Sequence, residues 1–230
     1  MSAAPGYFGK LPGAGDFVQR RLPPVFIDAW DRAFSHAVAG ARDLLGHGWQ
    51  AAWQQAPTWR CLLSPGIAGP AAWAGVMLPG CDRVGRCFPM VVATALPGGT
   101  AAPGVLDDNG RWFDLAAGVA EAAQRDRTID AARFDAAVAA LLPPPDPQEP
   151  TVPTPPPGFD GSRRGYWLPL AGHDVRVPSA LWHRLAPTGC ALWWQHGGRG
   201  HAGAVRVDRG LPDAATFASL LGARSQAGAA

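Results

Sequence analysis

Five charged residues in two short segments are the best candidates for chemistry in this chain. Asp82-Arg83-Val84-Gly85-Arg86 sets one carboxylate and two guanidiniums, three residues apart, between two strand-like runs. A guanidinium fork binds phosphate or carboxylate through paired N–H donors. The competing reading is a structural knot, with Asp82 accepting from turn amides or pairing with an arginine. Two arginines without a base or nucleophile beside them do not make an enzyme. Gly9-Lys10-Leu11-Pro12-Gly13-Ala14-Gly15-Asp16 looks at first like a phosphate loop. A Walker loop needs four residues between its glycines, then Lys and a Ser or Thr for magnesium. Here the lysine comes first, no hydroxyl follows, and Val18 stands where a dinucleotide fingerprint would need its third glycine. The segment reads instead as a strand-to-helix turn whose glycines supply positive φ.

Other chemistries find little support. The six histidines are scattered, and His196 and His201 flank a glycine-rich loop with no cysteine or carboxylate at ligand spacing. A metal site needs three or four convergent ligands. Asp107-Asp108-Asn109-Gly110 lacks the alternating acids and distal glutamate of a calcium loop, and no G-x-S-x-G elbow occurs. The four cysteines, Cys61, Cys81, Cys87 and Cys190, form no C-x-x-C pair and read as reduced thiols in the core. Cys81 and Cys87 are close enough for a disulfide, though nothing in the sequence demands one.

These residues need elements to hold them. Tyr7–Leu11 predicts a short strand. Phe26, Trp30, Phe34, Val38 and Ala41 repeat at three- and four-residue spacing, which predicts one apolar stripe on a long helix starting near Pro23 or Pro24 and ending at Gly46. Trp49 and Trp53 predict a further helical turn. Trp59–Leu63, Ala72–Leu78 and Phe88–Leu96 predict three consecutive strands. Antiparallel neighbours suit them, because parallel strands need a long crossover. Trp112–Gln124 and Ala131–Leu142 predict helices. The order points to an α+β (mixed α/β) fold with helices packed on an antiparallel or mixed central sheet.

Nine of the fifteen residues from Pro143 to Pro157 are proline, which no helix or sheet core tolerates. The expectation is a domain at residues 1–142, a Pro-rich linker at 143–157, and a small C-terminal α/β lobe at 158–230 packed on the first. In that lobe Tyr166–Leu170, Cys190–Gln195 and Ala204–Val207 predict strands, and Pro212–Leu221 predicts a helix. Trp193 and Trp194, adjacent in a strand, must face opposite sides. One is expected in the core and the other exposed or under a helix.

With 230 residues, 47% hydrophobic and 17% charged, the chain has enough apolar material to fold. A net charge of +2 argues against a general nucleic-acid binder. No run approaches the ~18 apolar residues of a bilayer span, and the N-terminus lacks a secretory pattern. A cytoplasmic protein without membrane insertion is expected.

Two motif blocks then go further. Gly6-Tyr7-Phe8-Gly9-Lys10-Leu11-Pro12, Gly15-Asp16-Phe17-Val18, Leu22-Pro23, Phe26 and Trp30-Asp31 form the first. Ala56-Pro57, Trp59-Arg60, Trp73-Ala74-Gly75-Val76-Met77, Pro79, Asp82-Arg83-Val84-Gly85-Arg86 and Phe88-Pro89 form the second. Together they resemble the TagF (ImpM) family of type VI secretion accessory proteins. Cys87 stands where an aromatic is usual in that family, and Gly80-Cys81 where Ser-Val is common. The resemblance implies a longin- or profilin-like core and a post-translational repressor, not an enzyme and without a cofactor. It would act by binding a component of the secretion machine, foremost the forkhead-associated scaffold, Fha. Contact residues are then expected among Lys10, Asp16, Asp82, Arg83 and Arg86. Two other readings stay open: a hydrolase or phosphatase acting on an anionic substrate through the same acids and arginines, and a structural subunit of the apparatus. The oligomeric state is not determined by the sequence.

Overall fold

The computed structural model describes residues 4–96, 106, 110–142, 165–168, 175, 177, 179–197 and 203–222. Eight strands form one sheet: β1 (Gly6–Lys10), β2 (Phe17–Arg20), β3 (Trp59–Leu63), β4 (Ala72–Leu78), β5 (Met90–Leu96), β6 (Tyr166–Leu168), β7 (Ala191–Gln195) and β8 (Ala204–Asp208). Their order across the sheet is β2-β1-β5-β4-β3-β7-β8-β6, and every pairing is antiparallel. The helices are α1 (Pro24–Leu45), α2 (Trp49–Gln55), α3 (Arg111–Arg125), α4 (Ala131–Ala139), α5 (Ser179–Leu185) and α6 (Ala214–Leu220). The antiparallel sheet with helices packed on it is the expected α+β arrangement.

The central strands are buried on both faces, so their sequences read as continuous apolar runs. One face is covered by α1, α2 and α6. The buried stripe of α1 is Phe26, Trp30, Phe34, Ala37 and Ala41, and it lies in the same cluster as Cys61, Leu63, Trp73 and Trp193 from the strands. The other face is covered by α3, α4 and α5, through Phe113, Ala116, Ala120, Phe134, Val138 and Trp182. Both adjacent tryptophans of β7 are therefore buried, each in a different core. Trp193 meets Trp30 at 6.3 Å between ring centroids, and Trp194 meets Phe113 edge-on at 4.6 Å.

Local chemistry sets the ends of the main helix. Pro24 opens α1, where a missing N–H costs nothing. Gly46 closes it with φ of 48°, a conformation that favours glycine. Gly40 lets α6 approach closely: a Cβ there would come within 2.5 Å of the Ala214 methyl. Phe34 and Phe217 meet edge-on beside this contact at 5.4 Å.

Several local expectations shift. The glycine-rich segment after β1 leads into the antiparallel strand β2 rather than a helix, closing a hairpin in which Lys10 faces Phe17. The strand predicted from Phe88 begins at Met90, because Pro89 can offer no N–H to the ladder. Helix α5 had no clear signal in the sequence. The C-terminal strands join the sheet of the first part directly, Cys61 of β3 opposite Trp193 of β7 and Leu62 opposite Leu192. The proline-rich segment 143–157 and the turn at 97–99 lie outside the described residues, as do His173 and His201.

A chain ending at Leu142 would lack β7 and α6, opening the edge of β3 and uncovering Phe34 and Trp53. It is expected to lose cooperative thermal unfolding and to bind an apolar dye. Circular dichroism and calorimetry check this; a sharp transition at the full-length midpoint would show that residues 1–142 complete a core alone.

Candidate functional site

The β4–β5 hairpin runs in unbroken register to its tip. Leu78 faces Met90, and three residues further along each arm Cys81 faces Cys87 across an antiparallel bridge. The N–H groups of Phe88 and Asp82 donate to the carbonyls of Gly80 and Arg86 at 2.9 and 3.1 Å. Asp82–Arg86 is the tip itself. Asp82 Oδ1 accepts from the backbone N–H of Val84 at 3.1 Å and of Arg86 at 2.8 Å. Gly85 donates to the Asp82 carbonyl at 3.0 Å, with φ of 84° that favours its own residue type.

The other carboxylate oxygen binds two cations. Lys10 Nζ donates to Asp82 Oδ2 at 2.9 Å, and Arg86 Nε donates to the same atom at 2.7 Å. The Asp82 side chain is 0% exposed and that of Lys10 5%. Lys10, the chain's single lysine, also lies 4.2 Å above the centroid of the Phe17 ring. The tip is tied to the β1–β2 loop by Arg83 N–H donating to the Ala14 carbonyl at 2.9 Å, and by Arg86 to the carbonyl of Gly15. Burial pushes the Asp82 carboxyl up. The hydrogen bonds from Lys10 and from the Arg86 backbone and guanidinium outweigh it and hold the group well below the usual carboxylate range.

The structure thus brings all five expected residues together and sorts them by position. Lys10 and Asp82 are interior and organise the turn. Asp16, Arg83 and Arg86 face outward. Asp16 lies 3.9 Å from Lys10 and 4.0 Å from Arg86, with its side chain 80% exposed. Arg83 is exposed and forms no ion pair with any described residue. Arg86 belongs to the structural knot, bonded to Asp82, and Arg83 projects from it.

Two apolar side chains complete this surface, and neither was singled out from the sequence. Val84 is 68% exposed at the tip, and Phe17 is 41% exposed on β2. Phe17 stacks on Phe8 at 5.2 Å and meets the edge of Phe88 at 4.9 Å. The alternation in β2, with Val18 inward and Phe17 outward, would have exposed Phe17 had the segment been read as a strand.

A second polar cluster was also missed, because its members come from distant segments. Arg60 of β3 pairs with Asp114 of α3 at 2.5 Å. His196, just after β7, accepts from the Val175 N–H through Nδ1 at 3.1 Å and sets Nε2 3.6 Å from Asp114. Arg60 and His196 border an open groove of about 480 Å³ that also includes Thr58, Glu121 and Arg125. Among the described residues no group of three metal-binding side chains forms, and no helix is long and apolar enough to cross a membrane.

The architecture and motifs have known counterparts. The family model of the TagF N-terminal domain, type VI secretion system-associated, matches residues 6–141. The crystal structure of PA0076 from Pseudomonas aeruginosa PAO1 superposes with a TM-score of 0.72 at 30% identity, covering 95% of this chain and 94% of that one. No curated protein sequence matches.

The depressed Asp82 carboxyl predicts an acid limb in stability. Its contribution is complete above the unfolded carboxylate value, about 3.9, and is lost as pH falls through the folded value. Asp82→Asn should flatten part of that limb, the remainder including Asp213, which caps α6 and is also held low by the Thr216 N–H. At neutral pH the variant should lose about 3 kcal/mol, because Lys10 keeps a buried charge without its counter-ion. Denaturant titrations across pH measure both effects; an unaltered acid limb would remove Asp82 from the account.

Proposed function

The chain belongs to the TagF family of type VI secretion system-associated proteins, and from that premise we propose that it represses the secretion machine post-translationally by binding one of its components. The Fha scaffold is the component favoured by the family resemblance. The reading places the protein in the cytoplasm and requires no cofactor or catalysis.

One observation carries it. The motif residues build an outward surface, with Arg83, which pairs with no described carboxylate, the exposed Val84 and Phe17, and Asp16 and Arg86 at its rim. Arginine and aromatic side chains with a fixed support lose little freedom on docking, which is why they dominate binding energy at interfaces. The buried Lys10–Asp82 pair gives that support. A polar rim of both signs around an apolar centre suits a folded protein partner better than a uniformly charged polymer.

Arg83→Glu and Val84→Asp are expected to weaken capture of the scaffold at least about tenfold, or about 1.4 kcal/mol, while the melting temperature stays within about a degree of wild type. Lys10→Ala should lower both, since it removes the support. Binding can be followed by titration calorimetry with purified scaffold and by affinity capture from a native lysate. Wild-type capture by both tip variants would place the interface elsewhere.

A further inference from the structure

The hairpin tip carries a feature that the binding reading does not use. Cys81 and Cys87 are free thiols, opposite each other on the two arms, with Sγ atoms 3.1 Å apart. The hydrogen bonds that flank them, Phe88 to Gly80 and Asp82 to Arg86, make this a non-hydrogen-bonded antiparallel pair. At such positions the Cα atoms are about 4.5 Å apart and the side chains converge, a spacing inside the range that a disulfide bridges without backbone movement. Both residues are half-buried, whereas Cys61 and Cys190 are fully enclosed. The two arms therefore hold a dithiol at bonding geometry and within reach of a small reagent.

We propose that Cys81 and Cys87 are a reversible dithiol–disulfide site that closes on reaction with a low-molecular-weight disulfide and staples the base of the Asp82–Arg86 tip. In the first step the Cys81 thiolate attacks one sulfur of the reagent. A mixed disulfide forms on Cys81, and one thiolate leaves. Cys87 then gives up its proton and attacks Cys81 Sγ, expelling the second thiolate. Two protein thiols are oxidised to one disulfide, the reagent is reduced to two thiols, and the two protons are taken up by the departing thiolates.

The surroundings support this order. The hydrogen bond with Cys87 outweighs partial burial and the nearby Asp82 charge and draws Cys81 below the usual thiol range. Cys87, correspondingly, is pushed up by the same hydrogen bond and by burial. Cys87 Sγ also has the Gly85 carbonyl as an acceptor for its proton at 3.8 Å, which leaves Cys81 as the first nucleophile and Cys87 as the resolving thiol. Burial pushes the Cys61 thiol up, so it stays unreactive while the protein is folded.

The test uses the folded full-length protein with oxidised glutathione in excess. The wild type should lose about 2 Da, for two hydrogens, with no retained glutathione, and dithiothreitol should restore the original mass. Digestion after Arg83 and Arg86 should leave a linked pair of peptides, and Cys81→Ser and Cys87→Ser should each abolish the link. Cys87→Ser should instead accumulate one glutathione adduct, at least about tenfold faster than Cys81→Ser. Wild-type protein that stays fully reduced, or that ends with glutathione retained and no internal link, would overturn the proposal. Equal adduct rates in the two variants would overturn the assigned order of attack.

Discussion

An antiparallel sheet that is apolar on both faces has to be covered twice, and most of this structure follows from that requirement. Antiparallel sheets commonly leave one face in water. Here β3, β4, β5 and β7 do not. Helices α1, α2 and α6 cover one side and α3, α4 and α5 the other. Because both cores share the same strands, Trp193 and Trp194 can each be fully buried while pointing in opposite directions. The requirement also draws the C-terminal part of the chain into the sheet, since β3 gains its second neighbour only from β7.

Where the covering layers end, a buried charge pair takes over the work of ordering the backbone. The hairpin tip has few apolar side chains to pack, so Asp82 holds it instead, using one carboxylate oxygen for turn amides and the other for Lys10 and Arg86. A buried ion pair adds little net stability over an apolar replacement, but it fixes geometry when all its partners are satisfied. The outcome is a division of labour among the motif residues: the interior pair sets the shape, and Arg83, Val84 and Phe17 face solvent on it. The cysteines one step below the tip sit at the point where the turn joins the sheet. A covalent link there would act on the loop's anchorage rather than on the surface it presents.

The polar groove beside Arg60 and His196 lies apart from the tip. Gln124 connects the two regions by donating to the carbonyl of Lys10 at 2.8 Å, so α3 touches both the groove and the strand that carries the buried lysine.

The sequence by itself determined the local elements whose periodicity is strong. The stripe of α1, the strands at Trp59–Leu63 and Ala72–Leu78, and the turn at Asp82–Arg86 are all dictated by residue type and spacing over a few positions. It also marked the five charged residues of the candidate site, as members of the two motif blocks. It did not separate support from surface: whether Asp82 or Arg83 meets solvent depends on Lys10, seventy-two positions away. The strand β2 was hidden for a related reason, since four residues on a sheet edge carry too short a pattern to outweigh the glycines before them. Only the tertiary structure decided that β7 lies against β3, that Asp114 and His196 meet Arg60, and that the thiols of Cys81 and Cys87 converge. Each of these is a contact between segments whose own residues are compatible with several neighbours, and the shared burial of the whole sheet selects among them.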